Sequence, residues 1–267
     1  MTIDQDLHVH TTLSLCSNDP DQNPGAIVAW AARRGIRTVC LTNHYWDETM
    51  PGGTHPFYQQ QDTAHYEAIR TMLPVDNLGV RLLLGCETEY LGGPWLGLSP
   101  ERAKRMDFIN LPITHLHFED FVRPRRYQTP AQVAQLWLER FDQALQLDLP
   151  WEKVNFVHLN FLLGFEGRHR AILEALPDEA LAERFTRCAG QGAKVELNGS
   201  VFTHGIWAEC PEQHLRMLSI ARDCGCLFTF GSDAHHPQAL DDVFANERAA
   251  ELLGLSEAQI FNPDVLV

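Results

Sequence analysis

The chain has 267 residues, 45% hydrophobic and 21% charged, a composition that excludes a disordered polymer and suffices for one large α/β core. Its 35 acidic against 21 basic side chains give a formal net charge of -14, which argues against passive binding to nucleic acid or acidic membranes. No basic-then-apolar leader and no membrane-length apolar run is present, and seven scattered cysteines fit a reducing compartment, so a cytoplasmic setting without a membrane partner is expected.

Short apolar runs alternate with longer helical patterns, the mark of βα units. A first strand is expected over 7–10, where Asp6-Leu7-His8-Val9-His10 sends His8 and His10 to one face by the period of two. Asn23 and Pro24 read as the cap and first turn of a helix that carries Ala26, Ile27, Trp30 and Ala31 on one stripe and stops at Gly35. The second strand, 38–42, runs into Asn43-His44, followed by a loop over 46–61 and a helix over 62–73. The third, 82–86, delivers Glu87, and 92–100 reads as another long loop. The fourth, 108–114, ends in His115-Leu116-His117, with a loop over 118–128 and a helix over 129–147 opened by Thr129-Pro130. The fifth, 154–157, ends at His158. Helix 178–189 leads to the sixth strand, 194–197, which carries Glu196 and is followed by Asn198. Helix 211–224 leads to the seventh, 227–230, followed by Gly231-Ser232-Asp233-Ala234-His235 and a last helix over 240–253.

Six of the seven strands thus deliver a metal-ligand side chain at their carboxyl end, where α/β barrels carry their chemistry. Any one of these residues alone reads as a hydrogen-bonded strand edge; their shared topological position is what predicts a metal centre. Arg123, Arg125 and Arg126 after the fourth strand, and Arg168 and Arg170 after the fifth, are candidate phosphate clamps and equally readable as a solvated loop face. His204 is a candidate substrate contact, whereas His55, His65, His169 and His214 read as ordinary polar histidines.

On the motifs Asp6-Leu7-His8-Val9-His10, Thr42-Asn43-His44, Gly85-Cys86-Glu87, His115/His117, His158 and Gly231-Ser232-Asp233-Ala234-His235, the sequence resembles the PHP (polymerase and histidinol phosphatase) superfamily, in particular its stand-alone histidinol-phosphatase-like phosphoesterases. The resemblance implies an α/β fold, a distorted (β/α)7 barrel of TIM-like kind forming a single domain over 1–267. It also implies two or three divalent ions, whether zinc, manganese or iron. His8, His10, Glu87 and Asp233 would hold one ion, and Glu87 would bridge to a second held by His158 and by His115 or His117, with His115 favoured. His44 and His235 would belong to a third. Where the family has a histidine or aspartate after the first motif, this chain offers Cys16, whose thiolate would favour zinc, or Asp19, and Cys16 is also readable as an inert thiol. Glu196 and Asn198 would orient ligands or substrate.

The implied catalytic set is Glu87, Asp233 and His235. The reaction expected is hydrolysis of a small phosphorylated molecule, a phosphomonoester such as histidinol phosphate or a phosphodiester, by attack of a metal-bound hydroxide on phosphorus. The alternative is an amidohydrolase-type C–N hydrolase. Many of those bridge two ions with a carboxylated lysine, and here the three lysines, Lys104, Lys153 and Lys194, precede or begin strands. A non-catalytic metal-binding module is a third reading, opposed by the near-complete set of ligand positions. The sequence does not specify an oligomeric state.

Overall fold

A computed structural model describes residues 1–266, and eleven strands occur among them. They are β1 (Gln5–Val9), β2 (Thr38–Leu41), β3 (His44–Tyr45), β4 (Arg81–Leu84), β5 (Cys86–Thr88), β6 (Tyr90–Gly92), β7 (Trp95–Leu96), β8 (Ile109–Leu111), β9 (Val154–Phe156), β10 (Lys194–Asn198) and β11 (Leu227–Gly231). β6 and β7 form a small antiparallel hairpin; the others build two parallel sheets, ordered β1-β2-β4 and β11-β10-β9-β8-β5-β3. β2 with β3, and β4 with β5, are single staves broken in the middle, so seven staves run round the molecule in chain order. The first and last meet through a Val9–Ala234 bridge and two hydrogen bonds, Asp233 N to His8 O and His10 N to Ala234 O, rather than through a regular ladder. The result is the expected α/β architecture of seven parallel staves with helices outside, irregular at the carboxyl ends.

Each irregularity has a local cause. Gly85 separates β4 from β5 because the chains close in there: a Cβ would lie 2.5 Å from Phe108 O and 2.8 Å from Cys40 Sγ. The fourth stave stops at Leu111, short of the expected residue 114, because Pro112 brings no N–H to continue a ladder. His115 and His117 therefore sit in irregular backbone beyond the strand, and the alternation that would have put them on one face does not reach them.

Pro24–Arg34 is capped by Asn23, which accepts from Ala26 N, and ends at Gly35 with φ 78°. Pro130–Ala144 opens with a Thr129/Gln132 capping box. Asp178–Gln191, Pro211–Asp223 and Asn246–Leu253 follow close to expectation, the last preceded by a 3-10 segment, Pro237–Ala245. The region expected as one helix over 62–73 is a short helix, Thr63–Glu67, continued as a 3-10 turn, Ala68–Thr71. No helix among the described residues is long and apolar enough to cross a membrane.

The barrel interior carries a polar chain in which Thr229 donates to Asn155, Asn155 to Asn110, and Asn110 to Leu7 O. All are buried and paired, so the chain joins four staves without leaving these groups orphaned. Beneath it Leu7, Cys40, Leu83 and Phe108 meet Phe261 and Leu266 of the C-terminal segment. Gln5 and Arg81, at the starts of β1 and β4, bond the Phe261 and Pro263 carbonyls, so that segment closes the amino ends of the staves. The opposite, carboxyl ends are left for chemistry.

Candidate metal centre

At those carboxyl ends the imidazoles are held by their outward nitrogens. His8 Nδ1 lies 2.7 Å from Glu196 Oε1, and His115 Nδ1 lies 2.8 Å from Glu89 Oε2. His10 Nδ1 lies 2.8 Å from Ser14 Oγ, whose own proton goes to Asn43. His235 Nδ1 donates to Asp233 O at 2.8 Å, and His158 Nδ1 pairs with Thr114 Oγ1 at 2.7 Å. For His8, His10, His115 and His235 the Nδ1–H is spent on an acceptor, so each neutral ring turns its Nε2 lone pair inward.

Glu87 receives most of them. Its Oε1 is 3.1 Å from His158 Nε2 and 3.4 Å from His115 Nε2; its Oε2 is 3.2 Å from His44 Nδ1, 3.3 Å from His10 Nε2 and 3.5 Å from His8 Nε2. Asp233 Oδ1 stands 3.4 Å from both His8 and His10 Nε2. Lone pairs facing carboxylate oxygens in a buried site repel unless cations lie between them, and those cations are either protons or metal ions.

The electrostatics show the same demand. Burial opposes charge on His115, yet the Glu89 and Glu87 carboxylates lift its pKa to about 9; burial likewise opposes charge on His8, where Asp233, Glu196 and Glu87 prevail and hold it well above the imidazole range. Glu87, despite burial, is held well below the carboxylate range by His44, His8 and His115. Burial holds His44 well below the imidazole range against the pull of Glu87, and its Nδ1, 3.2 Å from Glu87 Oε2, makes no hydrogen bond.

Three donor sets have their atoms within 4.8 Å of one another: His8, His10 and Asp233; His8, Glu87 and His158; and His10, Cys16, His44 and His235. This donor set of imidazoles, carboxylates and a thiol fits divalent zinc or another first-row ion. Two of these donors sit in backbone that side chains rarely adopt, His158 at φ 35° and Asp233 at φ 57°. Such strain persists only where surrounding contacts enforce it, and nothing in the sequence signals it. Gly231 is required for a different reason: a Cβ would fall 2.2 Å from Glu196 Oε1 and 2.7 Å from His8 Cβ.

A cavity of about 170 Å³ opens over the centre, with Phe57, His117, Phe118 and Leu163 as its outer wall. His117 is thus a wall residue, pushed down to about 4 by burial and the nearby His115, while His115 stands in the Glu87 cluster. Loops 46–61 and 118–128 reach the cavity, whereas 92–100 holds the turn and second strand of the β6–β7 hairpin and borders a separate groove with Met50 and Leu147. Sequence reasoning missed Phe57, Phe118, Leu163, Ser14 and Thr114, which carry no motif. It also missed Glu89, which Tyr58 OH reaches at 2.8 Å and which lies two residues past Glu87, a spacing that could have flagged it. A larger cavity, about 670 Å³, lies at the amino ends, where Arg37 and Arg81 pair with Asp4 and Asp264 and no donor cluster gathers among the described residues.

The proposed substrate clamps are not brought to the cavity. Arg123 is buried, donating to Leu116 O at 2.8 Å, Tyr127 O at 3.0 Å and Glu119 Oε2 at 2.8 Å, so its fork braces the loop. Arg125 pairs with Asp120, Arg126 lies over Tyr127, Arg168 over Phe165, and Arg170 reaches Glu209 O. His204 is largely exposed beside Asp242. Asp19 accepts Asp21 N in its own turn and belongs to no donor set. Arg123→Gln is accordingly expected to cost about 2–4 kcal/mol of stability in thermal or urea unfolding. A raised KM at unchanged stability would return Arg123 to the substrate.

A family model described as PHP domain matches residues 6–198. A "probable phosphatase" of Syntrophotalea carbinolica is 36% identical over 104 residues, 39% of this chain and 38% of that protein, so the likeness spans about two fifths of the relative. Among solved structures, histidinol phosphate phosphatase of Lactococcus lactis subsp. lactis, complexed with zinc, L-histidinol and phosphate, aligns with a TM-score of 0.66 at 16% identity, over 95% of each chain. At that identity the likeness is one of fold.

Proposed function

The chain belongs to the PHP domain family, matched over residues 6–198, and from that premise we propose that it is a metal-dependent phosphoesterase acting on a small phosphomonoester. The observation that carries this reading is the crowding of five imidazole nitrogens within 3.1–3.5 Å of the two Glu87 oxygens, a geometry that calls for cations. Two or three divalent ions, zinc first and manganese or iron as alternatives, would supply Lewis acidity and an activated water. Glu87 and His158, with His115, would hold one; His8, His10 and Asp233 another.

The chain's own residues divide the remaining work. Glu196, Glu89, Ser14 and the Asp233 carbonyl fix the tautomers of His8, His115, His10 and His235, Thr114 orients His158, and Asn198 donates to Glu196 and lies 3.4 Å from Asp233 Oδ2. Phe57, Phe118 and Leu163 exclude water from the mouth. His117, neutral near pH 7, faces the cavity and offers a hydrogen bond to the departing oxygen. Among the described residues no arginine or lysine lines the cavity, so phosphate charge would be balanced at the centre itself, and about 170 Å³ suits a small monoester better than a polymer. Lys153 and Lys194 bond carbonyls near the amino ends, which supports phosphoester over lysine-bridged C–N hydrolysis. Seven free cysteines support a cytoplasmic setting, and we read 1–267 as one catalytic domain.

Histidinol phosphate is the first substrate to try, since the lactococcal protein of like fold was solved with L-histidinol and phosphate. Purified protein loaded with zinc, manganese or iron is expected to release phosphate from a monoester panel containing it, with at least tenfold preference over bis(p-nitrophenyl) phosphate. Loaded protein inert on every ester but active on amides would replace this reading.

A further inference from the structure

We infer that Cys16, His44 and His235 form an outer ion site of thiolate character, selective for a thiophilic cation such as zinc or ferrous iron over manganese or magnesium. This deepens the phosphoesterase reading and rests on it for the inner ions. The donor atoms of these residues and His10 lie within 4.8 Å of one another. His10 has one nitrogen to give, because Ser14 occupies its Nδ1, and its Nε2 already faces Asp233 and Glu87. The Glu87 oxygen beside His44 is shared with His10 and His8, so within the outer trio the thiolate of Cys16 is the anionic member.

Independent features aim this trio at a cation. His44 is 6% exposed and makes no hydrogen bond through Nδ1, which stands 3.2 Å from Glu87 Oε2, and His235 has spent its Nδ1–H on Asp233 O, turning Nε2 toward the cluster. The loop bearing Cys16 is stapled on both sides: Leu15 N donates to Gln61 Oε1 at 3.1 Å, and Ser17 Oγ donates to His235 O at 2.6 Å. The second staple ties the thiol's loop to the backbone of one of its fellow donors. Cys16 is also the one exposed cysteine among the described residues, so its sulfur borders the cavity that the substrate would enter. One sulfur and two imidazoles make a softer donor set than the inner carboxylate–imidazole groups, and soft donors discriminate against manganese and magnesium.

Cobalt(II) reports thiolate ligation directly. Cobalt-loaded protein is expected to show a near-ultraviolet sulfur-to-cobalt charge-transfer band that Cys16→Ser lacks, with zinc content falling by one equivalent per chain. Cys16→Asp, which restores an anionic oxygen donor, is expected to recover the equivalent without the band and to lower zinc preference over manganese roughly tenfold or more. Circular dichroism of both variants guards against misfolding. Absence of the band in the parent protein, or its survival in Cys16→Ser, overturns the inference. A band without ester hydrolysis by any metal form would leave this site standing and remove the phosphoesterase reading; hydrolysis without a band does the reverse.

Discussion

Glu87→Gln is expected to lose its metal ions and, with them, about a thousandfold or more in phosphoester turnover. The exchange is nearly isosteric in a buried position, so the barrel should still fold, but it removes the charge on which five imidazole nitrogens converge. An amide also directs an N–H₂ at some of those nitrogens and leaves one weak acceptor where two anionic oxygens could bridge ions. Both inner donor groups suffer together, because His8 belongs to each and faces Glu87 and Asp233 at once. Three measurements test this: elemental analysis, kcat on the preferred ester, and the rise in melting temperature on adding zinc, which only a binding-competent native state shows. Glu89→Gln is the control, since Glu89 acts through His115 and should cost roughly 10–100-fold in metal affinity. A Glu87→Gln protein with parental zinc content and turnover within tenfold would end the metal-centre reading.

What the sequence made legible follows from where each signal resides. Strand order and most of the clustered donors were readable because apolar runs mark staves and a residue of metal-ligand type follows six of the seven, as with His8, Glu87, His158 and Asp233. Periodicity failed at the fourth stave, where Pro112 ends the ladder and turn geometry alone decides that His115 enters the cluster while His117 joins the wall. The arginines misled for another reason. A guanidinium near a barrel mouth is as suited to satisfying loop carbonyls as to holding phosphate, and Arg123 took the carbonyls of Leu116 and Tyr127. Phe57 and Phe118 were invisible because ordinary core-type residues become wall residues only when their loops fold across one another, their rings 5.6 Å apart. The positive φ at His158 and Asp233 is a tertiary product that no local preference encodes.

Chelating the ions is expected to reduce ester hydrolysis to background and to make stability fall as pH rises from about 6.5 to about 9. In the metal-free centre His8, His10 and His115 are held above the ordinary imidazole value of 6.5, His115 at about 9. A group raised in the folded state contributes stability that is complete below its unfolded pKa and disappears as pH climbs through its folded one. For His115 that loss amounts to about 3 kcal/mol across the window. Glu87 and Asp233 are shifted the other way: their contribution is present above the unfolded carboxylate values and is lost only in acid, outside this window. His117 and His235, both lowered to about 4, likewise act below 6.5. Loaded protein should show no such slope, because ions then stand where the protons stood. Zinc binding near pH 7.5 must therefore expel protons and tighten as pH rises. Urea unfolding of both forms at pH 6.5 and 9, with zinc calorimetry in buffers of different ionisation enthalpy, measures this. A metal-free protein equally stable at both pH values, or zinc binding without proton release, would contradict the inward-facing lone pairs on which the centre depends.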